Sequence, residues 1–251
     1  MTLNKIIQTF PALKEGILLK RYKRFLADIE LSSGEIVTAH CANTGPMTGV
    51  ISIGSRVRLK NVESPNRKLA WSWEQSEVID EKGISSWVGI NTAIPNRIVR
   101  LAIQAGFLKK ELGEISEIRN EVKYGENSRI DLLLTPKGTN GDMRKIFLEV
   151  KNTTWKKGSV ALFPDTITTR GQKHLIEMIN VLNSSRAVLV PCISRTDIKS
   201  FAPGDSADSK YGELFRLALK SGVEVIPCCF GFHKDKITWE GIKKIQEHEP
   251  R

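Results

Sequence analysis

Two short apolar runs, Arg129-Ile-Asp-Leu-Leu-Leu134 and Ile146-Phe-Leu-Glu-Val-Lys151, each carry charged side chains among their hydrophobic ones. Runs of this length and composition read as buried β-strands, and a buried strand seldom keeps an acid that has no partner. The charges therefore restrict how the two runs can pack. Side chains alternate along a strand, so Glu149 and Lys151 share one face while Leu148 and Val150 take the other. If the runs pair as neighbours, Asp131 lies across from that polar face at roughly 5 Å.

The rest of the chain divides in two. Between residues 13 and 90, short runs recur at close spacing: 16–20, 24–31, 35–40, 56–60, 70–73, 76–79 and 85–89. Ser-Ser-Gly and Asn-Thr-Gly turns separate them. Five or six short strands in that length fit a small β-barrel of the oligonucleotide-binding (OB) kind. The pattern changes near Asn91. Residues 97–106 carry apolar side chains at helical spacing, and strands follow near 117–124, 129–134 and 146–151. A helix after Gly171 has Leu175, Met178, Ile179 and Leu182 on one stripe. Then come a strand at 186–190, a helix over about 208–221 and an apolar strand from Val223 to Cys229. The polar tail after Trp239 reads as helical at best. The expected class is α+β, with a barrel domain over residues 1–92 and an α/β domain over 93–251.

Among the 251 residues, 38 Lys and Arg outnumber 28 Asp and Glu, a net charge of +10 that favours a polyanionic partner such as nucleic acid. The surplus is spread along the chain and forms no basic tail. No apolar run approaches the roughly 20 residues that span a bilayer. The start carries no signal-peptide core, so a cytoplasmic protein without a membrane partner is expected. Cys41, Cys192, Cys228 and Cys229 offer no C-x-x-C pair, and read as small buried hydrophobes.

Asp131 and Glu149 supply the hard oxygen donors that Mg²⁺ prefers, with the Val150 carbonyl as an extra ligand. Lys151 then orients a water or neutralises charge on a phosphate undergoing hydrolysis. The competing interpretation is a partly buried ion triad that fixes sheet register. Gln172, at the edge of the helical stripe, leans toward the site or simply bounds the core. Lys173, His174 and Glu177 are expected to project outward. Arg170 and Lys173 near that helix start suit a phosphate. Pro164-Asp165 follows Glu149 in the chain, and a loop position or helix-entry capping suits Asp165 better than ligation. Glu121 is either a third carboxylate or an exposed strand charge. In the first domain, Arg21, Tyr22, Lys23, Arg24 and Phe25 interleave three cations with two aromatic rings, as a nucleic-acid surface does, or form a strand turn with Tyr22 and Phe25 in the core. Trp71, Trp73 and Trp87 fit core packing, and His40 borders an unusually polar turn, Cys41-Ala-Asn-Thr-Gly-Pro-Met47.

Several longer stretches resemble the sugar fermentation stimulation protein family: RYKRFLAD, TAHCANTGPM, RKLAWSWE, WVGINTAIPNRIV, EVKYGENSRIDLLL, LEVKNTTW and FPDTITTRGQKHL. Ala42 and Pro46 depart from the family pattern, and the loop from Thr135 to Lys145 is longer and more polar. The resemblance implies an N-terminal OB barrel joined to a restriction-endonuclease-like, PD-(D/E)xK domain. It implies sequence-nonspecific DNA binding linked to regulation of maltose metabolism, with a nuclease-like site on Asp131, Glu149 and Lys151. The alternative it leaves open is an active Mg²⁺-dependent nuclease on DNA or RNA.

Overall fold

The computed structural model describes residues 5–62, 67–124, 128–138 and 142–250. After a short strand β1 (Ile6–Thr9) come β2 (Lys14–Tyr22), β3 (Leu26–Leu31), β4 (Ile36–Cys41), β5 (Arg56–Asn61), β6 (Trp71–Ile79) and β7 (Ser85–Gly89). These six run in the order β4-β3-β2-β5-β6-β7, and a parallel pairing of β4 with β6 closes β2 to β6 into a five-stranded barrel. Alternate side chains point inward: Leu18, Ala27, Ile29, Ala39, Val57, Leu59 and Trp73 are fully buried. The runs 70–73 and 76–79 are one strand. Arg58 pairs with Gln75 and Leu59 with Trp73, so Glu74 between them is a β-bulge that breaks the alternation.

The second region opens with α1 (Pro95–Gln104) and the single turn α2 (Lys109–Leu112). Proline suits the first helical position because no N–H is lost there, so α1 starts two residues earlier than its apolar spacing suggests. Then follow β8 (Ile115–Tyr124), β9 (Ser128–Pro136), β10 (Ile146–Thr153), β11 (Trp155–Lys157), β12 (Val160–Phe163), α3 (Thr169–Asn180), β13 (Arg186–Ile193) and β14 (Ser200–Pro203). The chain continues through α4 (Ser209–Ser221), β15 (Glu224–Val225), β16 (Cys228–Phe232), β17 (Lys236–Ile242) and β18 (Lys244–Ile245). Pro227 has no N–H to give the ladder, which splits the single strand expected over 223–229 into β15 and β16. The tail after Trp239 is strand, not helix: β17 pairs antiparallel with β16 and its edge is covered by β1.

The large sheet is ordered β1-β17-β16-β13-β10-β9-β8, and a small second sheet is β11-β12-β14-β18. α1 packs Ile98, Val99, Ala102 and Ile103 on one face of the large sheet, against Leu132, Leu134, Leu148, Val150, Val188 and Val190. On the other face α3 and α4 place Leu175, Met178, Tyr211, Phe215 and Ala218 against Ala187, Leu189 and Ile193. β10 and β13 pair in parallel at the centre, and β13 is buried on both faces along nearly all its length, as a central strand requires. Residues 6–9 thus belong to the large sheet although they precede the barrel in the chain.

Barrel and large sheet touch directly. Gly89 N–H donates to the Ser194 carbonyl at 2.9 Å, and the Gln75 amide donates to the His233 carbonyl at 2.8 Å. The Phe232 ring lies where any side chain on Gly89 would stand, 2.2 Å from an ideal Cβ. All four cysteines are buried free thiols. Among the described residues no helix is long and apolar enough to cross a membrane.

Candidate functional site

β9 and β10 pair antiparallel with Leu134 opposite Ile146, Leu133 opposite Phe147 and Leu132 opposite Leu148. One step further along that register Asp131 faces Glu149, at the point where regular pairing stops. The Asp131 carboxylate takes over there: its Oδ2 accepts from the Val150 N–H at 2.7 Å and its Oδ1 from the Asn96 amide at 2.8 Å. Leu148 and Val150 fill the α1 face, which leaves Glu149 and Lys151 on the α3 face. Lys151 Nζ donates to Glu149 Oε1 at 2.7 Å, with Glu149 only 3% and Lys151 11% exposed. Glu149 and Lys151 thus pair directly, as the alternation of side chains requires, while Asp131 is tied to the β10 backbone between them through the Val150 N–H and to α1 through Asn96.

α3 adds a residue that was expected to point outward. Thr168 caps this helix, its hydroxyl accepting from Gly171 N–H at 3.1 Å, and the helix starts two residues before Gly171. Gly171, His174, Leu175 and Met178 form its buried stripe. The glycine lets α3 approach α4, since a Cβ there would stand 3.3 Å from the Tyr211 ring. His174, on the same stripe, is buried. Its Nδ1 hydrogen-bonds Glu149 Oε1 and lies 3.1 Å from Lys151 Nζ, and Arg170 Nε reaches its Nε2 at 3.4 Å. Extending the Leu175–Met178 stripe back by one and four residues is the signal that finds His174 and Gly171. Glu177 is also buried rather than outward. Gln172 turns away from the acids: its amide donates to both oxygens of Asp208 at 3.0 Å. Asp208 caps α4 through Tyr211 N–H at 2.9 Å and accepts from Thr168 N–H at 2.9 Å. Gln172 thus joins two helix starts and does not meet the carboxylates. Asp165 caps no helix; it accepts from the Thr48 N–H of the barrel at 3.4 Å.

The two acids are pushed apart in proton affinity. Burial, followed by repulsion from Glu149, raises the Asp131 carboxyl to about 6 in spite of its hydrogen bonds. Burial would raise Glu149 as well, but the Lys151 ammonium and the His174 ring overcome it and hold Glu149 below its ordinary value. Four buried oxygens around this point have no hydrogen-bond partner among the described residues: Glu149 Oε2, Glu177 Oε2, Tyr124 Oη and Tyr211 Oη. Such orphaned groups are rare in a folded interior and mark a place that suits a water or an ion.

Outside the acids a cavity of about 610 Å³ is lined by Glu121, Ser128, Arg129, Thr169, Arg170, Lys173 and His174. Three of these are cations, so the groove is positive where it passes His174 and hence Glu149. Glu121 sits on β8 with φ 51° and is exposed, a wall of this groove rather than a third carboxylate at the centre.

In the barrel, the basic segment is occupied by its own turn. Arg21 donates to the carbonyls of Arg24, Asn43 and Gly45 at 2.8–2.9 Å, and Arg24 to that of Thr44 at 2.8 Å. Tyr22 Oη donates to Asp28 at 3.0 Å. Lys23 and Arg24 have φ of 49° and 66°, the left-handed bend that lets the hairpin fold back on the 43–45 turn. Lys23 is exposed and makes no ion pair among the described residues. Of the tryptophans, Trp73 is fully buried, whereas Trp87 lies under the Arg58 guanidinium at 3.6 Å.

Comparison with known proteins places the chain. The model of the sugar fermentation stimulation protein RE domain matches residues 93–236, and that of the SfsA N-terminal OB domain matches residues 19–90. A sugar fermentation stimulation protein homolog of Prochlorococcus marinus (strain SARG) is 68% identical over 249 residues, 98% of this chain and 99% of that one. A homolog from a second strain of the same species, MIT 9211, is 66% identical, covering 98% and 96%. The solved structure of Pyrococcus furiosus SfsA in complex with Ca²⁺ superposes with a TM-score of 0.82 over 97% of this chain and 100% of that one, at 23% identity. That likeness carries the fold. On the two domain matches and the full-length relatives, the chain belongs to the sugar fermentation stimulation protein family.

Proposed function

We propose that the protein binds nucleic acid through its phosphate backbone, without reading base sequence, beside a divalent-cation site formed by Asp131 and Glu149. The observation that carries this reading is the buried, unpartnered Glu149 Oε2. It belongs to a carboxylate that His174 links to a groove carrying Arg129, Arg170 and Lys173. The donors suit a hard ion: two carboxylates and no thiol. Among the described residues no group of three or more His, Cys, Asp or Glu converges, so such an ion would keep much of its water. The description of the Pyrococcus furiosus relative names bound Ca²⁺, which accords with an oxygen-donor site.

Phosphate contacts carry affinity and salt dependence but no sequence information. Three groove cations, each displacing a counterion, give a slope of about −2.7 in log affinity against log salt, or roughly 40-fold weaker binding from about 50 to 200 mM. Fluorescence anisotropy with a labelled duplex and its scrambled counterpart reads this directly. Equal affinity for both sequences, the salt slope, and its loss in Arg129→Glu/Lys173→Glu support the reading. A flat salt series, or a double variant that binds like wild type, overturns it. A part in regulating maltose use would then run through nucleic acid.

A second reading, Mg²⁺-dependent phosphodiester hydrolysis on DNA or RNA, is favoured by Lys151, whose ammonium stands on the Glu149 carboxylate. A bound cation would supply charge neutralisation at the phosphate and a more acidic water. Lys151 would hold the non-bridging oxygens as water attacks phosphorus and the ester P–O bond breaks, the proton lost by the water passing to the departing alkoxide oxygen. Glu149 holds the Lys151 ammonium in place and fixes the His174 ring through Nδ1. Incubation with single-stranded, nicked and branched substrates plus Mg²⁺ or Mn²⁺ tests it. Cleavage that Asp131→Ala abolishes supports it; intact substrate with wild type, or equal cleavage by Asp131→Ala, removes it and leaves the binding reading standing.

A further inference from the structure

The barrel and the large sheet enclose a second cavity, of about 370 Å³, well separated in the chain from the α3 groove. Its apolar floor comes from the large sheet and the entry to α1, with Phe10, Ile94, Phe232 and Ile237, while the barrel supplies polar wall residues such as Ser72 and Gln75. Its rim carries Lys60 from β5 and Arg97 from α1, both exposed, together with His40 from the end of β4. One wall is the β6 bulge, which turns Glu74 into the cavity. There both carboxylate oxygens are braced by the Asn91 amide at 2.9 and 3.1 Å. Gln8 Oε1, also on the lining, is buried and has no hydrogen-bond partner among the described residues.

These features define a ligand. An apolar floor walled by two fixed acceptors, the Glu74 carboxylate and Gln8 Oε1, suits a flat ring whose edge bears N–H or amino groups. Cations at the mouth suit an anionic group carried by the same molecule. α1 adds to that preference, for it begins beside the cavity at Ala93 and Ile94 with no side-chain cap and no acid in its first turn. The volume lies in the range of small-molecule sites at domain junctions.

We propose that this interdomain cavity is a mononucleotide site. The base lies on the floor with its amino edge toward Glu74 and Gln8, and the phosphate lies on the rim formed by Lys60 and Arg97. The site is separate from the groove beside Asp131 and Glu149 and does not depend on that assignment. The same chemistry has two sources, a free 5′-mononucleotide or the phosphorylated end of a nucleic-acid strand.

Isothermal titration of the full chain with GMP, AMP, CMP and UMP tests the proposal. Binding of at least one, weakened tenfold or more by Arg97→Glu and by Glu74→Ala, is expected. Ala93→Trp, on an exposed lining position, fills the cavity without touching the core and should abolish the heat. Circular dichroism and melting of each variant confirm that it is folded. A single-stranded oligomer with a 5′-phosphate, added in competition, separates the sources: displacement of the mononucleotide assigns a strand end, and no displacement assigns the free nucleotide. The proposal is overturned if none of the four nucleotides binds at millimolar concentration. It is equally overturned if binding persists unchanged in folded Ala93→Trp and Arg97→Glu.

Discussion

Glu149→Gln is the most direct perturbation of the acid pair, because it keeps the side chain's size and removes only its charge. In the protein as it stands, Glu149 Oε1 satisfies Lys151 and His174, while Oε2 is buried and unpartnered. A glutamine carbonyl still accepts from Lys151, and Lys151 retains some solvent, so the loss without metal is that of one charged hydrogen bond, about 2 kcal/mol. The response to metal should differ far more. An ion held by the folded state alone stabilises it by about 2.7 kcal/mol at a hundredfold excess over its Kd. For a chain of this size that is a rise in Tm of roughly 5–10 °C. Differential scanning fluorimetry of wild type with Mg²⁺, Mn²⁺ or Ca²⁺ should show that rise, and Glu149→Gln should show almost none. A wild-type Tm indifferent to all three ions, or a rise of the same size in the variant, would refute the idea that the unpartnered oxygen marks a cation site. The charges would then be a structural triad.

Other consequences concern the scaffold. Arg195 is 1% exposed and holds Asp197 through two hydrogen bonds of 2.7 and 2.8 Å while donating to the Thr154 carbonyl. Arg195→Met leaves the carboxylate and the carbonyl short of donors and should cost about 3–5 kcal/mol by urea unfolding. Burial works to raise Asp197, but Arg195 and Lys156 prevail and hold it at about 2, below its ordinary 3.8. A depressed acid stabilises the fold above its unfolded value, so this contribution, about 2 kcal/mol, is present above pH 4 and disappears as pH falls toward 2; Asp197→Asn should flatten that limb of the pH–stability curve. Gly89→Ala forces its methyl against the Phe232 ring and should cost about 1–3 kcal/mol, most of it recovered in Gly89→Ala/Phe232→Leu. Asp208→Ala removes a cap and the acceptor that ties α3 to α4, a loss of about 2 kcal/mol seen as a lower urea midpoint.

Local pattern was enough for what depends on neighbours along the chain. Alternation in Ile146–Lys151 separated Leu148 and Val150 from Glu149 and Lys151, and the helical stripe of α3 was visible from Leu175 and Met178. Turn-bounded short runs announced a barrel, and four scattered cysteines announced thiols in the core. Contacts between distant segments were illegible. His174 is buried because α3 packs over β10, where Glu149 and Lys151 meet its ring, and Gln172 turns to Asp208 because the two helix starts lie side by side. In sequence Arg21 and Arg24 suit a phosphate surface or a strand turn equally, and only the structure shows them serving the carbonyls of a turn some twenty residues on. The polar tail reads as strand only once β16 and β1 offer it backbone partners.

Which side chains share a face follows from residue order alone, through the two-residue period of a strand and the 3.6-residue turn of a helix. Tertiary structure decided which faces meet: how Asp131 reaches the β10 backbone, which histidine stands on Glu149, and that a bulge turns Glu74 into a cavity between two domains. Those outcomes rest on burial and hydrogen-bond satisfaction summed over segments far apart in the chain, and no local period encodes such sums.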